Sequence, residues 1–324
     1  MRKSNLCSLL FVIIILSVFL FPTVSIAQLG CFAREDLIRF TPEWTGERFP
    51  DGRPKVPDEI LERMKNVEIE EAWGVCRGAR YNNQFEDGWY NLHPDRVLVG
   101  RALTGTFIPQ RPDVNKVTQE IGKEQERTQT GGQNSWVIDI LQKNDVIVIN
   151  LFGKVVDGTY AGGNLANSIW AKTGTGMIID GGVRDLGQIN RLPDFSVFIR
   201  GADPTAIGGV TLAGINTPTR IGRAICMPGD VVLGTIEGVI FIPAHLAEQV
   251  VDRAEIVNMR DTFGFQRLHD GKYTPGEIDS RWSEEMEEDF TQWLKENRDN
   301  INVPRESVEK YLKSREESKK EKKE

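Results

Sequence analysis

The chain has 324 residues, of which 40% are hydrophobic and 27% charged. That suits one or two soluble domains and argues against a polytopic membrane protein. The formal net charge of -7 offers no bulk basic character for nucleic acid. Four cysteines are too few for a disulfide scaffold, and three histidines (His93, His245, His269) are too few for a multi-histidine metal cage. A metal here is expected on carboxylates.

The first segment reads as an address. Arg2 and Lys3 precede an apolar run from Leu9 to Phe21, Pro22 breaks it, and Ser25-Ile26-Ala27 supplies small residues for cleavage. This is the layout of a secretory signal peptide over residues 1–27. The alternatives are a retained anchor, for which the run is short, and a lipid anchor at Cys31, for which Gln28 and Leu29 are poor neighbours. The mature chain is therefore expected to be exported, periplasmic or extracellular, without a stable membrane span. Cys31, Cys76 and Cys226 would remain, enough for at most one disulfide.

Residues 28–56 show no periodicity and read as an irregular arm. From Pro57 to Arg77, Ile60, Leu61, Met64, Val67, Ile69, Ala72 and Val75 recur at helical spacing, as two short helices. Arg96 to Ile108 reads as strand, and Pro109 to Gly132 as a polar surface excursion. Trp136 to Gln142 reads as a short helix. Asp145 to Asn150 is a continuous apolar run, the mark of a buried strand. A helix over Asn164 to Lys172, a strand over Gly176 to Gly181, a short helix over Asp185 to Arg191 and a strand over Phe195 to Ile199 follow. This alternation predicts an α/β layer structure. Arg223 to Cys226 and Asp230 to Leu233 flank a turn at Met227-Pro228-Gly229. A strand over Gly238 to Ile242 and a helix over Ala244 to Met259 close the domain. The remainder, 260–324, is charged, with an amphipathic helix over Glu284 to Trp293 and a solvated end.

Neither a Gly-x-Ser-x-Gly elbow nor a phosphate loop occurs. Two features carry possible chemistry. Gly162 and Gly163, followed by Asn164 and Leu165, stand directly before a helix. Such a backbone lets a ligand approach and offers free N–H groups to an anion such as a carboxylate; the plain alternative is a tight turn. Arg184 and Asp185 follow a buried strand, where open α/β sheets place ligands. Arg184 suits an anion and Asp185 a divalent metal; the plain alternative is a loop ion pair with a helix cap. Asp180 either lines this site or caps the turn before Gly181. Glu237, His245, Cys226 and the tryptophans Trp136, Trp170 and Trp282 read as structural.

The run Gly162-Gly163-Asn164-Leu165-Ala166, a helix, a strand, then Asp180-Gly181-Gly182-Val183-Arg184-Asp185 resembles the RraA-like family. Pro228-Gly229-Asp230-Val231-Val232 with Glu237-Gly238-Val239-Ile240-Phe241-Ile242-Pro243 is similar to that family's late hairpin. The resemblance covers residues 57–259. It implies a mixed sheet flanked by helices, the swivelling β/β/α fold, and a homotrimer or hexamer. It also implies either of two functions. One is a metal-dependent lyase, a class II pyruvate aldolase or oxaloacetate decarboxylase acting on a small α-keto acid. The other is a non-catalytic binding or regulatory protein, as in the regulator of ribonuclease E, although an export signal would separate the chain from that enzyme. By resemblance, the backbone of Gly162, Gly163, Asn164 and Leu165 holds the substrate carboxylate. Arg184 contacts the substrate and steadies enolate charge, and Asp185 anchors Mg²⁺ or Mn²⁺. The resemblance also implies an acidic, water-positioning residue separated from the Arg-Asp pair by twenty residues, here Asn164 to Val183. Gly163 occupies that place, with Asp157 and Glu277 as possible substitutes.

Overall fold

The computed structural model describes residues 33–127 and 131–321. The signal segment, Cys7 and Cys31 lie outside the described residues. The arm contains one helix, α1 (Arg34–Phe40), and then docks through a series of turns with one bridge between Arg48 and Pro54. Its anchor is Arg53, whose side chain is fully buried. Arg53 forks onto both oxygens of buried Asp145 at 3.1 and 3.2 Å, and its Nε reaches Asp51 at 2.8 Å. The composition of the arm gave no sign of this. A buried arginine is stable only where carboxylates meet its fork.

Helices α2 (Asp58–Met64) and α3 (Ile69–Gly78) follow as the periodicity predicts. Short strands β1 (Phe85–Glu86) and β2 (Tyr90–Asn91) lead into the long β3 (Leu98–Pro109). The polar excursion is not irregular. It forms α4 (Pro112–Glu124), opened by proline at the first helical position, where no N–H is needed. Then come α5 (Gln133–Asp139), β4 (Asp145–Asn150), α6 (Gly163–Thr173), β5 (Gly176–Val183), α7 (Leu186–Ile189) and β6 (Ser196–Ala202). Gly174, left-handed at φ 69°, ends α6.

Strands β3, β4, β5 and β6 run parallel and adjacent. The sheet continues antiparallel on both sides. Strand β7 (Val210–Ile215), which the sequence reading missed, lies along the end of β3. Strands β8 (Thr219–Ile221) and β9 (Ala224–Cys226) pair with each other. The Met227-Pro228-Gly229 turn therefore does not join a β9–β10 hairpin. Instead β10 (Val231–Gly234) pairs with β3 and with β11 (Val239–Ile242). The fold is thus a mixed sheet flanked by helices, as expected.

Side chains alternate along each strand with period two. Val146, Val148, Ile178, Phe198, Val232 and Phe241 point to the inner face, which the β8–β9 hairpin covers. Ile147, Ile149, Met177, Ile179, Val197 and Ile199 point outward beneath α5 and α6. The sheet curls, bringing Gly234 of β10 against the Phe198 ring of β6. Farther along the outer face, α2, α3 and the long α8 (Ala247–His269) cover β10 and β11. The charged tail is more than a solvated end. Helices α9 (Pro275–Ile278), α10 (Glu284–Asn297) and α11 (Arg305–Glu321) gather Phe290, Trp293, Leu294 and Val308 around Met259 and Phe263 of α8. No helix among the described residues is long and apolar enough to cross a membrane. Cys76 and Cys226 are each buried free thiols.

Candidate active site

The loop after β4 and the end of β5 are stitched together by backbone hydrogen bonds. The N–H groups of Leu151 and Gly153 donate to the carbonyl of Asp180 at 3.1 and 2.9 Å. Gly182 donates to Lys154, Tyr160 to Gly182, and Arg184 to Ala161, at 2.8, 2.8 and 2.9 Å. These bonds place the start of α6 beside the Arg184-Asp185 pair, at the carboxyl ends of two parallel strands. In open α/β sheets that end of the strands is where ligands bind.

Asp185 adopts the left-handed conformation, φ 60° and ψ 37°. Aspartate tolerates this better than most residues, and such outliers gather at functional sites. Its carbonyl takes the N–H groups of Gln188 and Ile189, opening α7. Its carboxylate turns the other way. Oδ2 accepts the Gly163 N–H at 3.0 Å and lies 3.4 Å from Arg184 Nε. The two side chains are 33% and 38% exposed, so both remain reachable by a ligand.

Gly162, the cap of α6, has ordinary extended backbone at φ -121°. Space, not conformation, requires glycine there. A Cβ on Gly162 would lie 2.4 Å from Asp185 Oδ2 and 2.8 Å from Arg184 Nε. With no side chain at Gly162 to cap the helix, the N–H groups of Asn164 and Leu165 in the first turn are available to an anion. Asn164 is exposed and Leu165 half-buried.

Gly163 is packed against a side chain of α7. Its added Cβ would fall 1.9 Å from Gln188 Oε1 and 3.1 Å from Gln188 Cβ. The space beside Gly163 is filled by Gln188, so the position is not an empty seat for a lost carboxylate. The sequence reading missed Gln188; its one signal was its place three residues after Asp185. Of the two substitutes considered, Glu277 caps α9 by accepting from the Thr274 N–H and hydroxyl at 2.8 and 2.7 Å. Asp157 lies exposed in the β4–α6 loop. Asp180 braces the strand ends and holds a turn other than the one before Gly181. It accepts from Arg200 Nε at 2.7 Å and from the Gly222 N–H at 3.3 Å, tying β5 to β6 and to the β8–β9 turn. Arg200 also holds Glu86 at 2.7 Å. Burial raises the Glu86 carboxyl, but hydrogen bonds from Arg223 and Arg200 outweigh it and hold the group below its ordinary range.

A model of the RraA-like family, described as Aldolase/RraA, matches residues 68–241. The chain belongs to the RraA-like family. It is 28% identical over 159 residues to a Halalkalibacterium halodurans protein named "Putative 4-hydroxy-4-methyl-2-oxoglutarate aldolase", covering 47% of this chain and 71% of that one. It is 30% identical over 120 residues to an uncharacterized protein of Methanocaldococcus jannaschii, covering 37% of this chain and 57% of that one. Its fold matches Streptomyces coelicolor RraAS2, whose structure is described as an unusual member of the RNase ES inhibitor RraA protein family. The TM-score is 0.55 at 22% identity, over 66% of this chain and 98% of that one. The arm and the tail helices lie outside the family match.

The donor set at Asp185 fits a hard divalent cation. Among the described residues, no three His, Cys, Asp or Glu side chains gather into a metal cage. Mg²⁺ does not need one, because it keeps several waters and binds through one or two carboxylates plus oxygens of its substrate. Asp185 offers Oδ1 for this, while Oδ2 is fixed by Gly163.

Proposed function

We propose that this chain is a divalent-metal-dependent lyase that breaks a carbon–carbon bond beside the carbonyl of a small α-keto acid, by decarboxylation or aldol cleavage. The observation that carries the reading is the convergence of three groups on one spot: the Asp185 carboxylate, the Arg184 guanidinium and the Asn164 and Leu165 N–H groups in the first turn of α6. Asp185 would hold Mg²⁺ or Mn²⁺ through Oδ1. When bound, the cation supplies an electron sink for the enolate. Arg184 lies close enough to place positive charge at the developing oxyanion, and it is already oriented by Asp185. The N–H groups of Asn164 and Leu165 would orient the substrate carboxylate.

The test is pyruvate release by the purified protein from oxaloacetate and from 4-hydroxy-4-methyl-2-oxoglutarate, with Mg²⁺ or Mn²⁺ and with chelator. Metal-dependent release supports the reading; release that chelator leaves unchanged, or none at all, refutes it. A second reading is a non-catalytic binding or regulatory protein of the same family, favoured by the single carboxylate at the site. It predicts binding of oxalate or pyruvate without turnover. We also propose export with cleavage near Ala27, checked by mass spectrometry of the amino terminus in the native host. An intact Met1 on a membrane-embedded protein would sink that claim. Assembly as a homotrimer or hexamer is checked by light scattering.

A further inference from the structure

We propose that a cavity near the amino ends of the parallel strands binds a small organic cation of the quaternary or methylated ammonium class. The cavity has a volume of about 350 Å³ and is lined by Phe40, Glu43, Trp44, Tyr81, Asp230 and His245, among others. It lies between the docked arm, the end of α3 and the turn before β10. The register pairs Val231 with Arg101, and Arg101 with Asp145, at the start of β4. This is the opposite end of the strands from Arg184 and Asp185.

The lining chemistry selects the ligand. Four aromatic rings and two carboxylic side chains face the space, and no lysine or arginine is among the lining residues. Aromatic faces attract cations, most strongly when the cation sheds little water, as a quaternary ammonium does. Tyr81 and His245 form one wall, with ring centroids 5.6 Å apart and the phenol oxygen 3.4 Å from Nε2. Burial lowers the His245 pKa, with Glu43 opposing, so the imidazole is neutral near pH 7 and does not repel a cation. Arg48 belongs to the arm. Its terminal nitrogens are committed to the Thr41 hydroxyl and to the carbonyls of Thr41, Trp44 and Gly52, so it builds the turn rather than the pocket.

Asp230 is the anchor. It is only 4% exposed, yet it borders the cavity. Oδ2 accepts the Met227 N–H at 2.8 Å, closing the turn. Oδ1 has no protein hydrogen bond among the described residues. A turn needs only one oxygen, and asparagine would serve it equally. Burial holds this carboxyl up to about 8, so near pH 8 a share of it is ionised and a cation in the cavity favours that charged form. A buried carboxylate with one unused oxygen, surrounded by aromatic rings, is chemistry for a cationic ligand.

Calorimetry with the full chain at pH 8 tests this, using choline and its neutral isostere 3,3-dimethylbutan-1-ol. Choline is expected to bind with Kd below about 1 mM, and the isostere about tenfold or more weakly. Asp230→Asn, which keeps the Met227 bond, should weaken choline about tenfold and leave the isostere unchanged; Trp44→Ala should weaken both. Asp185→Asn should bind choline as the wild type does, which separates this site from the proposed lyase site. Melting temperatures confirm that each variant is folded. Absence of choline binding by the folded wild type, equal binding of the isostere, or loss of choline binding in Asp185→Asn would overturn the proposal. So would unchanged choline affinity in both Asp230→Asn and Trp44→Ala.

Discussion

Gly162→Ala is a small change with a sharp expected effect. The backbone at φ -121° accepts alanine without strain. The methyl group, however, would lie 2.4 Å from Asp185 Oδ2 and 2.8 Å from Arg184 Nε. Non-bonded heavy atoms settle at roughly 3.5–4.0 Å, so the carboxylate must retreat by about 1 Å. The 3.0 Å bond from the Gly163 N–H to Oδ2 would be stretched or lost. A hydrogen bond to a charged group contributes about 1.5–3 kcal/mol, which is about ten- to a hundredfold in the affinity of whatever Asp185 holds. Misplacement on this scale also costs about a hundredfold in turnover. The assay is Mn²⁺ affinity by calorimetry beside pyruvate release, with melting temperature as the check on folding. Gly163→Ala is the control, because its methyl meets the Gln188 side chain, from Oε1 to Cβ, and neither Asp185 nor Arg184 is among its nearest neighbours. It should leave Mn²⁺ affinity near wild type. A folded Gly162→Ala with wild-type metal affinity and turnover would refute the reasoning, as would a larger loss in Gly163→Ala.

Three other perturbations follow from the structure. Asp185→Asn removes the charge but not the shape, and Mn²⁺ affinity should fall at least about tenfold; calorimetry with unchanged affinity would move the metal elsewhere. Arg53→Leu leaves Asp145 buried without its fork and should cost about 3–5 kcal/mol by urea unfolding, so a loss under about 1 kcal/mol would show the arm to be dispensable. Asp230 gives a pH signature. Burial pushes its carboxyl up to about 8, whereas an unfolded aspartate ionises near pH 3.9. Between those values the folded state holds the extra proton, so this group's contribution to stability is full below about pH 4 and is lost as pH rises toward 8. Asp230→Asn lacks that loss. Its stability relative to wild type should climb between pH 5 and pH 8 by an amount on the order of several kcal/mol. Parallel unfolding curves at both pH values would contradict the burial argument.

The parallel layer was legible because its signals are local. Asp145 to Asn150 reads as a buried strand from six residues, and the glycine at 174 closes α6 where the helix pattern stops. That Gly162 and Gly163 would stand at a helix start, and Arg184 and Asp185 at a strand end, was legible for the same reason, since each sits at the end of such an element. What escaped the reading depends on partners distant in sequence. Arg53 is buried only because Asp145, ninety-two residues later, meets it. Ala224 to Cys226 is a strand whose partner, Thr219 to Ile221, has too few apolar residues to announce itself. Gln188 carries no motif at all, and its role exists only because α6 and α7 converge. The amphipathic helix expected over Glu284 to Trp293 is there, but charge in the tail hid what its apolar face packs against. Its Phe290, Trp293 and Leu294 meet Phe263 of α8, a partner no local pattern announces.

The identity of the base is where geometry changes the expected chemistry. Retro-aldol cleavage requires a group to take the hydroxyl proton, and a positioned acid–base group contributes about 10²–10⁴-fold. Decarboxylation of a β-keto acid needs only the electron sink and the fixed cation. Beside Gly163 stands the Gln188 amide, whose Oε1 can accept a hydrogen bond from water but cannot take a proton at neutral pH. The wild type, as a lyase, should therefore favour oxaloacetate decarboxylation over aldol cleavage. Gly163→Asp is the wrong variant to reverse this, because the new side chain would collide with Gln188. Gln188→Glu is the right one, since glutamate fills the same volume and Gln188 is exposed enough to ionise. Initial rates of pyruvate release from both substrates, compared between wild type and Gln188→Glu, give the ratio directly. Aldol cleavage should rise relative to decarboxylation by at least about tenfold, within the span of a single positioned base. If the variant is folded and binds Mn²⁺ but the ratio stays fixed, or if the wild type already cleaves aldols briskly, the base lies elsewhere and Gln188 is a packing residue.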